Sequence, residues 1–206
     1  MRVVVVDYGI GNIFSVRAAL RAVGCEHVLD TDGSQVASAD VALVPGVAAF
    51  GAGLQLLRAS GQAEALSRHF KFGKPLVGLC LGAQMFMEQS EEDPSVVGLG
   101  FVKGKVMRLD EGNCKVPNQG WLKVSSADLA SEGGNQLVPV ASYFYFSHSY
   151  RILVSDADSV VATAQAEEEP VLAVYREQNV TGVQFHPERS GPSGLAFLSR
   201  LMNSLE

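Results

Sequence analysis

Three short segments carry residue types that together can break an amide. Gly78-Leu79-Cys80-Leu81-Gly82 places a cysteine between two glycines where an apolar run gives way to a helical pattern. Such a Gly-x-Cys-x-Gly stretch at a strand-to-helix turn is a nucleophile elbow with sulfur in place of the hydroxyl. The glycines leave room for a sharp turn, and the helix N-terminus behind Cys80 favours the thiolate, the species that attacks a carbonyl. Alone, the segment reads equally well as a buried core cysteine between two turn glycines.

The second segment, His186-Pro187-Glu188, directly follows the strand-like run Val180 to Phe185. His186 could take and return a proton there, while Glu188 holds the imidazole in one tautomer and stabilises its charged form. A lone His-Pro-Glu is more often a solvated loop with a helix-capping acid; an elbow cysteine in the same short chain favours catalysis. The third segment is Pro45-Gly46-Val47-Ala48-Ala49-Phe50, after the apolar run Val41 to Val44. The backbone N–H of Val47, with that of Leu81, could bind the oxyanion formed when a thiolate attacks an amide. Strand-ending Pro-Gly turns are also common for structural reasons alone.

The elements that must hold these segments follow from hydrophobic periodicity. Residues 2 to 7 form a β-branched run, and Asn12 can cap a helix with apolar Ile13, Val16, Ala19, Leu20 and Val23 that stops at Gly24. The pattern recurs as Val41 to Val44 with a helical stretch near 53 to 70, then as Pro75 to Leu79 with a helix near 81 to 88. Apolar strands alternating with helices predict a parallel sheet covered on both faces. In the second half, Lys105 to Leu109, Ser142 to Tyr150, Val160 to Ala164, Val171 to Tyr175 and Val180 to Phe185 are strand-like with few helices between, so some antiparallel strands are expected there. A last helix fits 192 to 204. The predicted fold class is α/β, one domain over residues 1–206 with a mixed, mostly parallel central sheet flanked by helices.

Composition narrows the function classes. A 206-residue chain that is 47% hydrophobic suits one domain with a sizeable core. A formal net charge of −6 and the lack of any Lys/Arg-rich block leave nucleic-acid binding without an electrostatic footprint. The apolar run at Val3 to Val6 is too short for a signal-peptide core, and no stretch is long enough for a membrane helix. Three widely spaced cysteines, Cys25, Cys80 and Cys114, suit free thiols in a reducing cytoplasm. Gly9-Ile10-Gly11 invites a dinucleotide reading, but Phe14 stands where a third glycine belongs, so no cofactor is expected. Cys25, Cys114, His27 and His69 have no ligand-like spacing, so no metal is expected either.

The elbow, the His-Pro-Glu segment and the Pro-Gly turn resemble class I glutamine amidotransferases, and the correspondence extends over nearly the whole chain. Within that class, Asp7 to Asn12, Lys115-Val116-Pro117 with Gly120-Trp121, Tyr145 to Tyr150 and Gly182 to Glu188 look like the glutaminase subunits of imidazole glycerol phosphate synthases. The resemblance implies a Cys80, His186, Glu188 triad, with Gln84 and Glu92 holding glutamine. It also implies a separate (β/α)8-barrel cyclase that receives the ammonia in a heterodimer, and places Trp121 and Tyr145 on the partner face, which Arg189, directly after Glu188, could also meet. From the residues alone, Trp121 could be a core aromatic, Tyr145 an alternating strand residue and Arg189 a solvated charge.

Three positions depart from that pattern. The family usually has glycine where this chain has Ala48, and glycine allows a positive-φ peptide flip that alanine resists. It also tends to have His and Asn where this chain has Asn118 and Leu122. Three other functions fit the same residues: a glutaminase serving another synthase, such as one amidating a surface sugar or building pyridoxal phosphate; a catalytically silent binding subunit; and a cysteine peptidase or other acyl hydrolase.

Overall fold

Val3 and Val5 pack into one hydrophobic cluster while Val4 and Val6 pack into another. Strand β1 (Val3–Val6) is thus buried on both faces, as alternating side chains in an all-apolar strand require. Each fully buried valine contributes about 1.5–3 kcal/mol of transfer free energy, enough to make this run the floor of the sheet. The computed structural model describes residues 1–126, 137–139 and 142–205. Residues 127–136, 140, 141 and 206, which the one-domain expectation also spans, lie outside the described residues.

The remaining strands, in chain order, are β2 (His27–Asp30), β3 (Val41–Val44), β4 (Leu76–Leu79), β5 (Gln89–Ser90), β6 (Gly104–Arg108) and β7 (Asn118–Ser126). The second half adds β8 (Tyr143–His148), β9 (Tyr150–Val154), β10 (Val160–Ala166), β11 (Glu169–Glu177) and β12 (Val180–Val183). A nine-stranded sheet runs β2-β1-β3-β4-β12-β11-β10-β7-β8, and β5-β6-β9 form a small second sheet. The first five strands of the large sheet pair in parallel, and the rest pair antiparallel.

Helix α1 (Ile13–Ala22) starts where the Asn12 side chain accepts from the Ser15 N–H. It packs, with α5 (Gly191–Asn203), on the face that holds Val3 and Val5. On the opposite face the helical stretch expected near 53 to 70 comprises two helices, α2 (Phe50–Ala59) and α3 (Gln62–Lys71). Gly61 separates them at φ +76°, a left-handed turn that a helix interior does not contain.

Two expectations need correction. The helix expected near 81 to 88 is the short α4 (Leu81–Met85). The Leu99 N–H takes the Met85 carbonyl at 2.9 Å and the Phe101 and Val102 N–H groups take that of Phe86, so a distant loop ends the helix. The single strand expected over Ser142 to Tyr150 breaks at Ser149, where the chain leaves the large sheet as β8 and enters the small one as β9.

Candidate active site

The three chemistry-bearing segments lie on adjacent strands. Parallel registers pair Val44 with Gly78 and Leu79 with Val183, so β3, β4 and β12 end side by side. The Pro45 turn, the Cys80 elbow and the approach to His186 leave those ends at one edge. Crevices at the carboxyl ends of parallel strands are where open α/β sheets bind ligands. A cleft of roughly 520 Å³ opens there, and its lining includes Val47, Cys80, Leu81, Gln84, Glu92 and His186.

Cys80 sits at φ +52°, ψ −109°, a backbone conformation that non-glycine residues rarely adopt. Its N–H donates to the Val183 carbonyl at 2.7 Å, which ties the elbow to the strand that leads to His186. Gly82 has no alternative here: a Cβ on it would overlap the Val44 carbonyl oxygen at the end of β3. Tight packing on both sides therefore holds the strain.

His186 and Glu188 form a buried pair. The imidazole Nδ1 lies 2.8 Å from Glu188 Oε1, and the two side chains are 4% and 3% exposed. Burial pushes the His186 pKa down, but hydrogen bonds to Cys80 and Glu188, and their charges, more than reverse this and carry it up to about 10. An imidazolium at neutral pH is thus poised between sulfur and carboxylate. The His186 backbone is also held from β8: its N–H donates to the Tyr145 carbonyl at 2.9 Å, and its carbonyl accepts from Ser190 Oγ at 2.6 Å.

On the other wall, the Tyr8 hydroxyl donates to the Pro45 carbonyl at 2.7 Å and anchors the start of the turn that carries Val47. Burial, then the charges of Cys80 and Asp7, raise the Tyr8 pKa far above the phenol's ordinary value, so it remains a donor. Val47 is 55% exposed, whereas the Ala48 methyl packs on the cluster that contains Leu81 and Phe50. The Gln84 N–H donates to the Cys80 carbonyl, and its side-chain Nε2 donates to the Tyr150 carbonyl at 2.9 Å. Glu92 accepts from the Phe50 N–H at 2.7 Å through Oε2, so it caps α2 as well as lining the cleft.

Trp121, Tyr145 and Arg189 form one group. The Trp121 and Tyr145 rings meet edge to face at 6.1 Å, and the Arg189 guanidinium lies 4.2 Å over the Tyr145 ring. Trp121 is 53% exposed, which excludes an ordinary core aromatic. Sequence reasoning assigned no task to Tyr8, Gln184 or His148, all at this site. For Gln184 a signal existed, since it precedes His186 by two residues and extended chain puts alternate side chains on one side.

Among the described residues no group of three or more His, Cys, Asp or Glu side chains could hold a metal ion, and no helix is long and apolar enough to cross a membrane. The arrangement can attack an amide carbon with sulfur and return a proton to the departing nitrogen.

The family described as "Glutamine amidotransferase class-I" matches residues 4–203. The imidazole glycerol phosphate synthase subunit HisH of Aquifex aeolicus is 40% identical, with 100% of this chain and 98% of the relative covered. HisH of Chlorobaculum tepidum is 37% identical, with 95% and 96% covered. Among solved structures, a glutamine amidotransferase aligns with a TM-score of 0.73 at 18% identity over 98% of this chain and 96% of that one. PurLQS from Thermotoga maritima aligns with a TM-score of 0.73 at 19% identity over 100% and 99%. Those structures show a shared fold.

Proposed function

The chain belongs to the class I glutamine amidotransferase family, and from that premise we propose that it is the glutaminase subunit of an imidazole glycerol phosphate synthase, with Cys80, His186 and Glu188 as its triad. It hydrolyses glutamine to glutamate and ammonia. The observation that carries the reading is the buried His186–Glu188 pair beside a strained elbow cysteine, with the His186 pKa raised by both neighbours.

The Cys80 thiolate adds to the side-chain carboxamide carbon, and the N–H groups of Val47 and Leu81 receive the oxyanion. His186 gives its proton to the nitrogen as the C–N bond breaks, which leaves ammonia and a γ-glutamyl thioester. Water, deprotonated by the now neutral His186, releases glutamate and regenerates the thiolate. Gln84 and Glu92 hold the substrate from the cleft walls. The domain spans residues 1–206, works in the cytoplasm without a cofactor and passes ammonia to a (β/α)8-barrel cyclase, with Trp121, Tyr145 and Arg189 at the contact. The cyclase makes imidazole glycerol phosphate and an aminoimidazole carboxamide ribotide in histidine biosynthesis.

Glutamine carrying ¹⁵N in its amide, supplied to the chain together with that cyclase and its nucleotide substrate, should deliver the label into the imidazole ring, read by mass spectrometry. Label that reaches only free ammonia in this mixture would assign the chain to another synthase.

Glu188→Gln should leave the fold intact and lower turnover by on the order of 10³ to 10⁴-fold, because an amide can present N–H to Nδ1 and misorient the ring. His186→Ala should be slower still, by about tenfold or more, since supplying the proton matters more than aiming it. Steady-state kinetics of both variants check the ranking; parent-like turnover in Glu188→Gln removes this carboxylate from the triad.

A further inference from the structure

We propose that Gln184 is a positioning residue for the nucleophile, its side-chain N–H donating to the Cys80 sulfur and holding it as a thiolate aimed into the cleft. The inference rests on Cys80 being the nucleophile and adds a second donor to the one that His186 supplies.

Gln184 is wholly buried just beyond the end of β12, where its backbone N–H donates to the Ala173 carbonyl at 2.9 Å. Its Nε2 lies 3.8 Å from Cys80 Sγ, within hydrogen-bonding range of a large acceptor such as sulfur. An amide has a donor end and an acceptor end, and the neighbours decide which faces the sulfur. The chain of decisions starts at the Tyr150 carbonyl, which can only accept. Gln84 lies 2.9 Å from it, so that contact takes an N–H of Gln84. The same Nε2 lies 3.2 Å from the amide of Gln184, so Gln184 presents Oε1 there and keeps its N–H groups for Cys80.

The other claimant on the Tyr150 carbonyl agrees with this assignment. His148 Nδ1 lies 2.9 Å from the carbonyl and must donate to it, which leaves Nε2 to accept from Asn118 Nδ2 at 2.9 Å. Burial pushes the His148 pKa down to about 4, with the charge of His186 adding to the effect against the Tyr150 hydrogen bond. His148 therefore stays neutral and keeps this tautomer across the working pH range. Every amide and ring from β7 to the sulfur has one orientation that satisfies all its partners.

A buried donor on a sulfur anion stabilises charge more than it stabilises a neutral thiol, so its loss should appear as fewer thiolates at low pH. The test is the rate of iodoacetamide alkylation of Cys80 against pH, read by peptide mass spectrometry, in the parent, Gln184→Met and Gln184→Asn. Methionine keeps the length without a donor, and asparagine keeps an amide one methylene short of the sulfur. In both variants the acidic limb should move up by roughly one pH unit, giving about tenfold slower labelling below it and parent rates well above it. A role confined to packing would change rates equally at all pH values. Should both variants fail to fold, the parent alone still decides: its Gln184 side-chain NH₂ resonances should shift when Cys80 is alkylated. An unmoved limb in a folded variant, or resonances indifferent to alkylation, would overturn the role of Gln184. If Cys80 in the parent is labelled no faster than Cys25 and Cys114, the nucleophile assignment itself falls, and this proposal with it.

Discussion

Cys80→Ser is expected to lower glutamine hydrolysis by about 10⁴-fold or more while leaving the thermal midpoint close to the parent's. The two atoms occupy nearly the same place, so the elbow and its ties to Val183 and Val44 persist. The reactive state does not. His186 is held as an imidazolium up to about pH 10, against burial, by its bonds and charges to Cys80 and Glu188. A serine hydroxyl is not ionised in this range, so it neither supports the imidazolium as the sulfur does nor supplies an anion to attack the amide. Cys80→Ser, His186→Ala and the double variant should therefore be almost equally slow, because the two residues act as one unit. The same charge state sets the alkaline limit: kcat/KM should fall above about pH 10 as His186 loses the proton destined for ammonia. A glutamine-analogue electrophile followed by peptide mass spectrometry locates the nucleophile directly. Labelling of Cys25 or Cys114 ahead of Cys80, with turnover surviving in Cys80→Ser, would falsify the assignment.

The segments that form the candidate site could be picked out from the sequence because each is local. A cysteine between glycines at a strand-to-helix junction needs only its immediate neighbours to be read as an elbow, and His186 and Glu188 are two residues apart. Both faces of β1 were equally plain, since four consecutive valines leave no polar face. The misread features depend on distant chain. Helix α4 ends early because carbonyls on Met85 and Phe86 are taken by N–H groups from Leu99 to Val102. Strand β7 went unread because Asn118, Gln119 and Lys123 give it a polar composition, and its pairing with β8 and β10 stabilises it instead. Ser149 looks like any strand residue until β6 draws the following segment into another sheet. Gln184 shows the same limit within the site: its amide acquires an orientation only through Gln84 and Tyr150, far away in sequence.

The isolated chain is expected to hydrolyse glutamine poorly, and a barrel cyclase should raise its turnover by on the order of 10²-fold or more, with a further gain when the cyclase holds its own nucleotide. Ammonia released without an acceptor is protonated and lost, which makes an ungated glutaminase wasteful. The gate must be something the partner can bias, since a ligand shifts an equilibrium only through differential affinity for its two states. Two routes are expected to connect the proposed partner face with the chemistry. One is Tyr145, whose ring meets Trp121 edge to face and lies under the Arg189 guanidinium while its carbonyl accepts from the His186 N–H. The other is the turn at Pro45, where the Val47 side chain is exposed and Ala48 packs inward on the cluster with Leu81. Alanine at that place resists the positive-φ flip that would swing the Val47 N–H toward the oxyanion, so Ala48→Gly should raise partner-free turnover by about two- to fivefold. Trp121→Ala should weaken association by about 2 kcal/mol or more if the half-exposed indole anchors the contact, roughly thirtyfold in Kd. Titrating the cyclase into the glutaminase assay, with and without its nucleotide, measures all of these together. Full turnover by the lone chain, indifferent to partner and nucleotide, would describe a free-standing glutaminase and refute the subunit reading.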